Sequence, residues 1–367
     1  MNLTVNGINI FVIVFVCFAV SLVLTPIVKR IAFHVGAVDK PDGKRKLQKE
    51  PMPALGGLAM FFSFLLGYML FAPKTEQMLS ILIGAMILMI VGFMDDIKPL
   101  PPSYKFIGQV AAACVLVFYG NITLSNMVMF GQKITFGIMS PIFSIIFVVG
   151  VINAINFADG LDGLACGTST IYFITIAIIG YIMNKLGGLD VIICLIMIGA
   201  CLGFLIYNFN PASIYMGDTG SMFLGYVISA VALLGFKTAT ITSLIIPILV
   251  LFVPILDTLL AMSRRLIRGE SIGHADREHL HHQLLKRTKS VRKSVLLMYA
   301  INILFAAVSI LYTLGDKKQS MVLYIVLLLI AGVVIFKTDI LFDHGVTDTT
   351  EIPVIKETKR KKKNGKN

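Results

Sequence analysis

Residues 141–163 read PIFSIIFVVGVINAINFADGLDG. The first part is a continuous apolar run that does not alternate, so it reads as a helix and not as a barrel strand. A helix of about 20 such residues crosses the hydrocarbon core of a bilayer. The second part turns abruptly polar. Asn153, Asn156 and Asp159 recur at i, i+3 and i+6, on one broad face near the end of the span. Asp162 follows, and Gly160, Gly163 and Gly167 permit tight turns or close approach of a ligand. Asparagines often bond between membrane helices, but that role does not require Asp159 and Asp162 as well.

The same pattern runs along the chain. It is 57% hydrophobic and 14% charged, against about 25% charged for a soluble domain. The expected fold is all-α and polytopic, with about eleven membrane spans. They fall at 8–28, 55–71, 78–94, 105–119, 141–157, 165–183, 190–207, 221–236, 240–262, 295–314 and 320–336. The first reads as a retained anchor, since no basic residue precedes it and no small-residue cleavage site follows. Residues 1–336 are expected to form one integral membrane catalytic domain, and 337–367 a disordered cytoplasmic polybasic tail. The five cysteines lie in or beside apolar runs with no Cys-x-x-Cys pair, and read as reduced packing residues.

Basic residues set the orientation. Of the 32 Lys and Arg, 26 fall in the 29–54 loop, at Lys98 and Lys105, in the 263–294 loop and from Lys337 onward. This puts the N-terminus outside and the C-terminus in the cytoplasm, in a multi-pass plasma membrane protein. The net charge of +12 then marks topology and attraction to anionic lipids, with Lys359–Lys363 held to the inner leaflet. It does not indicate nucleic-acid binding.

Four polar clusters land on that cytoplasmic side. Asp95-Asp96 ends a long apolar helix, where carboxylates oppose the macrodipole, and two adjacent acids need a cation or a shared proton. Asn153–Gly163 is the second cluster. The third is Met216-Gly217-Asp218-Thr219-Gly220-Ser221, which opens an apolar helix. Thr219 or Ser221 is the expected N-cap, and Asp218 reads either as a capping acid or as a ligand for a hard cation. Mg²⁺ takes one or two carboxylates plus substrate phosphates and waters. The fourth is His274–His282, which lacks zinc-site spacing. With Arg277 it suits a pyrophosphate, or else forms a solvated basic loop. Asp257 lies between Pro254 and Arg264 in the ninth span, and its role stays open.

At these residues the chain resembles the polyprenyl-phosphate N-acetylhexosamine-1-phosphate transferases, glycosyltransferase family 4. The likeness rests on Asp95-Asp96-Ile97-Lys98, Asn153–Gly163, Met216–Ser221 and His279-Leu280-His281-His282, and extends over residues 8–336. Such enzymes move a sugar 1-phosphate from a UDP-sugar to a polyprenyl phosphate with Mg²⁺, releasing UMP. The resemblance implies Asp218 as the main Mg²⁺ ligand with Asp96 beside it, Mn²⁺ being a substitute. Asp95 and Asp96 become the catalytic acids, Asp95 as base or phosphate-orienting group. Asn208 and Asp159 would hold the nucleotide and Tyr215 would stack on uracil. Lys46, Lys98, Lys105, His281 and His282 would contact phosphates. Asn153, Asn156, Asp162, Arg277 and His279 complete the substrate-binding set.

Leu280 interrupts the histidines, which resembles the UDP-GlcNAc branch and enzymes that start wall teichoic acid. The branch that uses UDP-MurNAc-pentapeptide, phospho-MurNAc-pentapeptide transferase, typically has three consecutive histidines and is the alternative. The expected partners are UDP-GlcNAc, undecaprenyl phosphate and anionic lipids at the tail, with a homodimer open beside a monomer. A transporter would carry ionisable groups near the bilayer midplane, where these spans are mostly bare. A non-enzymatic scaffold would leave the acidic clusters unexplained.

Overall fold

The computed structural model describes residues 3–40, 50–129, 132–183, 185–237 and 280–315, with isolated positions between 319 and 329. Ten helices carry the described fold. They are α1 (Ile10–Val35), α2 (Gly57–Phe71), α3 (Glu76–Ile97), α4 (Pro102–Cys114), α5 (Ser140–Ala158), α6 (Leu164–Ile182), α7 (Leu189–Asn208), α8 (Gly217–Lys237), α9 (Leu280–Thr288) and α10 (Val291–Leu314). Among the described residues, eight helical stretches are long and apolar enough to cross a membrane, and α2 is a shorter apolar helix. The protein is therefore a mostly helical, multi-pass membrane protein. Nine of the eleven expected spans correspond to described helices. The ninth, 240–262, and almost all of the eleventh, 320–336, lie outside the described residues, as does the tail from 337.

Local chemistry sets the helix ends. Thr75 caps α3 by accepting from Met78 N at 3.2 Å, and Asn9 caps α1 by accepting from Phe11 N at 2.9 Å. α1 ends at Gly36 in the left-handed region. α4 begins at Pro102, earlier than its apolar run, because proline suits the first helical turn. It then widens into a π-helical turn at Val115–Tyr119. The five cysteines are free, and all but Cys114 are buried.

The core is built around α8, in which every residue from Thr219 to Gly235 is buried. It packs against α2, α3 and α5, while α1 packs on α7 and α6 on both α7 and α10. Close approach depends on missing side chains. A Cβ on Gly92 of α3 would lie 2.5 Å from Thr219 Cα. Three short antiparallel ribbons supplement the helices: Thr4–Val5 (β1) with Ile8–Asn9 (β2), Val38–Asp39 (β3) with Met52–Pro53 (β4), and Asn126–Met129 (β5) with Gln132–Thr135 (β6).

The segment after β4 ties the approach to α8 in place. Tyr215 N donates to Pro53 O at 2.8 Å, Gly56 N to Tyr215 O at 2.9 Å, and Gly57 N to Met216 O at 2.9 Å. The end of α3, the start of α4, the end of α5 and the start of α8 thus meet at one end of the bundle, joined by the side-chain bonds that follow.

Candidate active site

α8 opens at Gly217, whose φ of 72° is left-handed. Its first amides are satisfied from another helix. Asp96, near the end of α3, accepts from Asp218 N at 2.7 Å, from Thr219 N at 3.0 Å and from the Thr219 hydroxyl. A Cβ on Gly217 would collide with the Asp96 carboxylate. This corrects the expected capping by Thr219 or Ser221. The helix starts before both, and the capping carboxylate comes from 122 residues away. Thr219 instead donates to Asp96, and Ser221 accepts from Asn156 Nδ2 at 2.8 Å.

Asp218 stands in that first turn, where the helix dipole favours negative charge. Its Oδ2 lies 2.9 Å from Lys105 Nζ, and its Oδ1 accepts from Asn156 Nδ2 at 3.1 Å. Lys105, from α4, also reaches Asp95 Oδ2 at 3.3 Å, while Asp95 Oδ1 accepts from Leu100 N at 2.8 Å. Four helices therefore contribute to one polar knot.

The knot fits a hard divalent cation. Asp95, Asp96 and Asp218 offer carboxylate oxygens that all lie within 4.8 Å of one another. Three carboxylates against one ammonium leave negative charge uncompensated, and an all-oxygen donor set suits Mg²⁺ or Mn²⁺. The donors differ in freedom. Asp96 accepts three hydrogen bonds from α8, whereas Asp95 and Asp218 accept two each, so these two keep more lone pairs open.

The remaining expected site residues divide by what they touch. Asn153 Nδ2 donates to Gln109 Oε1 at 2.8 Å and to Val149 O at 2.8 Å, an α4–α5 amide pair. Its side chain thus does what asparagine commonly does between membrane helices. Gln109, a lone amide in an apolar run, is a partner that reading the sequence passed over; its isolation was the available signal. Asn208 is buried and donates to Ile214 O at 3.1 Å, bracing the loop before α8. Asp162 Oδ2 accepts from Asn210 Nδ2 at 2.8 Å and from Ala212 N at 3.1 Å, fastening that same loop. Tyr215 is half-buried, and burial first, then Asp162, Asp39 and Asp159, raises its phenol above the ordinary range. Lys98 is exposed at the C-cap of α3. Lys46, Arg277, His279 and Asp257 lie outside the described residues, as do the side chains of His281 and His282 on α9.

Asp159 follows the end of α5, crowded by protein though part of its surface is open to water. Burial first, then Asp218 and Asp162, pushes its carboxyl up from 3.8 to about 7. Between those pH values the folded protein binds more protons than the unfolded chain, so stability falls as pH rises and levels off above about 7. We expect the melting temperature of metal-chelated protein in detergent to drop between pH 5 and pH 8. Asp159→Asn should remove part of that drop. An identical pH dependence in the variant would assign it to other groups.

Residues 78–236 match the sequence profile of Glycosyl transferase family 4, a stretch that holds Asp95, Asp96, Lys105, Asn156, Asp159 and Asp218. A Bacillus subtilis (strain 168) protein named "Probable undecaprenyl-phosphate N-acetylglucosaminyl 1-phosphate transferase" is 38% identical over 330 residues, covering 89% of this chain and 91% of that one. The "Decaprenyl-phosphate N-acetylglucosaminephosphotransferase" of Mycobacterium tuberculosis (strain ATCC 25618 / H37Rv) is 34% identical over 303 residues, 74% of each chain. A Staphylococcus carnosus (strain TM300) "Phospho-N-acetylmuramoyl-pentapeptide-transferase" is 32% identical over 252 residues, 61% of this chain and 76% of that one. With its acid-and-lysine knot inside the matched stretch, this chain belongs to glycosyl transferase family 4.

Proposed function

We propose that the chain transfers GlcNAc 1-phosphate from UDP-GlcNAc to undecaprenyl phosphate, giving undecaprenyl-pyrophosphate-GlcNAc and UMP. The observation that carries this reading is the Asp95–Lys105–Asp218 bridge at one end of an apolar bundle. A greasy acceptor and a water-soluble donor can both reach such a place. The names of the Bacillus and Mycobacterium relatives, which pair polyprenyl phosphates with N-acetylglucosamine, support the choice of substrates.

A phosphate oxygen of the lipid forms a bond to the sugar-linked phosphorus. The bond from that phosphorus to the bridging oxygen breaks, and the oxygen leaves with UMP. Asp95, fixed by Leu100 N, orients the acceptor phosphate or takes its remaining proton. Lys105 offsets repulsion between the two anionic substrates. Asn156 fixes the carboxylate plane of Asp218. Mg²⁺, or Mn²⁺ in its place, would be held by Asp218 with Asp95 and Asp96 in reach, and would supply charge neutralisation at the pyrophosphate.

The bias of basic residues supports a cytoplasmic site, an outer N-terminus and a tail that meets anionic lipids, and the apolar runs support eleven spans. In this reading the product starts a cell-envelope glycopolymer, wall teichoic acid. The test is transfer of ³²P from [β-³²P]UDP-GlcNAc into organic-extractable lipid by purified protein given undecaprenyl phosphate. Labelled lipid and one equivalent of UMP are expected. Label entering lipid only from UDP-MurNAc-pentapeptide would replace this donor and select the phospho-MurNAc-pentapeptide transferase reading.

A further inference from the structure

Beyond the polar knot, α10 reaches the same end of the bundle and touches two of its loops. The Tyr299 hydroxyl donates to Gly163 O, at the turn just after Asp162. One helical face and two turns away, Arg292 Nη2 donates to Asn210 O at 3.2 Å, and its guanidinium lies 5.6 Å from the centre of the Phe209 ring. Asp162 grips the same loop through Asn210 Nδ2 and Ala212 N. An apolar cluster of Leu161, Leu164, Leu285, Val291, Val295 and Met298 fills the space between, so α9 rests on the same turn.

Asn210 O belongs to a connecting segment, whereas Gly163 O already accepts the first intrahelical bond of α6 from Gly167 N at 2.9 Å, so Tyr299 adds a second bond to that carbonyl. A turn and a loop that only met each other would shift together. A third element bonded to both removes that freedom. Deeper in α10, Asn302 Nδ2 donates to Thr168 Oγ1 at 3.2 Å and sets the register of α10 on α6.

We propose that Tyr299 and Arg292 are positioning residues for the donor nucleotide. They latch the Asp159–Gly163 turn and the Phe209–Ala212 loop into one rigid cradle, and they make that cradle depend on the α9–α10 helix pair. The inference rests on the proposed reading in that it takes Asp159 and Asp162 as the nucleotide side of the site. Neither residue touches a reacting atom.

The experiment is a two-substrate kinetic titration of full-length Tyr299→Phe and Arg292→Ala, alongside calorimetric binding of UDP-GlcNAc. Losing one neutral hydrogen bond, as in Tyr299→Phe, corresponds to roughly a fivefold change in an equilibrium, and solvent screening brings the exposed Arg292 bond to about the same. Each variant should raise the donor KM and weaken UDP-GlcNAc binding by about that factor, with kcat and the acceptor KM within twofold. Arg292→Lys should restore little, because an ammonium does not reproduce the planar guanidinium over Phe209. A lower melting temperature with unchanged donor KM would overturn the inference, as would equal losses in kcat and in both KM values. Wild-type protein that binds UDP-GlcNAc without transferring it would defeat the proposed reaction and leave the latch readable by calorimetry. Wild-type protein that binds no UDP-GlcNAc would overturn both.

Discussion

Asp218→Asn should lower transfer by at least about a thousandfold while leaving the fold intact. The substitution keeps the shape of the side chain and its place in the first turn of α8. It removes the charge that Lys105 meets at 2.9 Å and one of the three carboxylates that together could hold a divalent cation. Neighbouring Asn156 can still donate to the remaining amide oxygen. Turnover of labelled donor measures the first effect, and Mn²⁺ binding followed by electron paramagnetic resonance measures the second. Both should fall together, with a melting temperature near that of the parent. Turnover within tenfold of the parent would remove Asp218 from the chemistry.

Lys105→Gln should have two effects of opposite sign. Its ammonium sits between Asp95 and Asp218 at 3.3 and 2.9 Å, where a divalent cation would also be attracted. A unit charge about 4 Å from a divalent ion is repelled by about 2 kcal/mol even at the dielectric of water. A flexible lysine relieves part of that by moving aside, so removing it should tighten Mn²⁺ binding by about tenfold. Turnover should nevertheless fall about a hundredfold, because the two anionic substrates lose a cation that offsets their repulsion. Weaker metal binding in the variant would show that Lys105 organises the carboxylates and does not compete with the ion.

The helices themselves were legible in the sequence, because a bilayer demands long unbroken apolar runs and α3, α5, α7 and α8 supply them. So was the gathering of Asp95, Asp96, Asn156 and Asp218 at one end, since alternating passes leave no other arrangement. What each polar group bonds to was not legible. Asp96 caps α8 across 122 residues, and Asn153 pairs with Gln109 across 44. Such pairings depend on the rotation and height of one helix against another, to within a fraction of a turn, and periodicity carries no information about either. The choice of Lys105 over Lys98 has the same origin. Lys98 closes the end of α3, whereas Lys105 lies on the next helix, which Pro102 starts afresh. The contributions of Tyr299 and Arg292 lay further out of reach, because they bond to backbone oxygens that any residue would offer.

The donated cap on α8 also bears on which ions the protein ignores. An open helix start is a ready cradle for loose phosphate. Here Asp96 fills that cradle with a tethered carboxylate. Free phosphate and the plentiful adenine nucleotides of a cell gain no backbone grip at this helix, and a diphosphate must be recognised by side chains that can also tell what is attached to it.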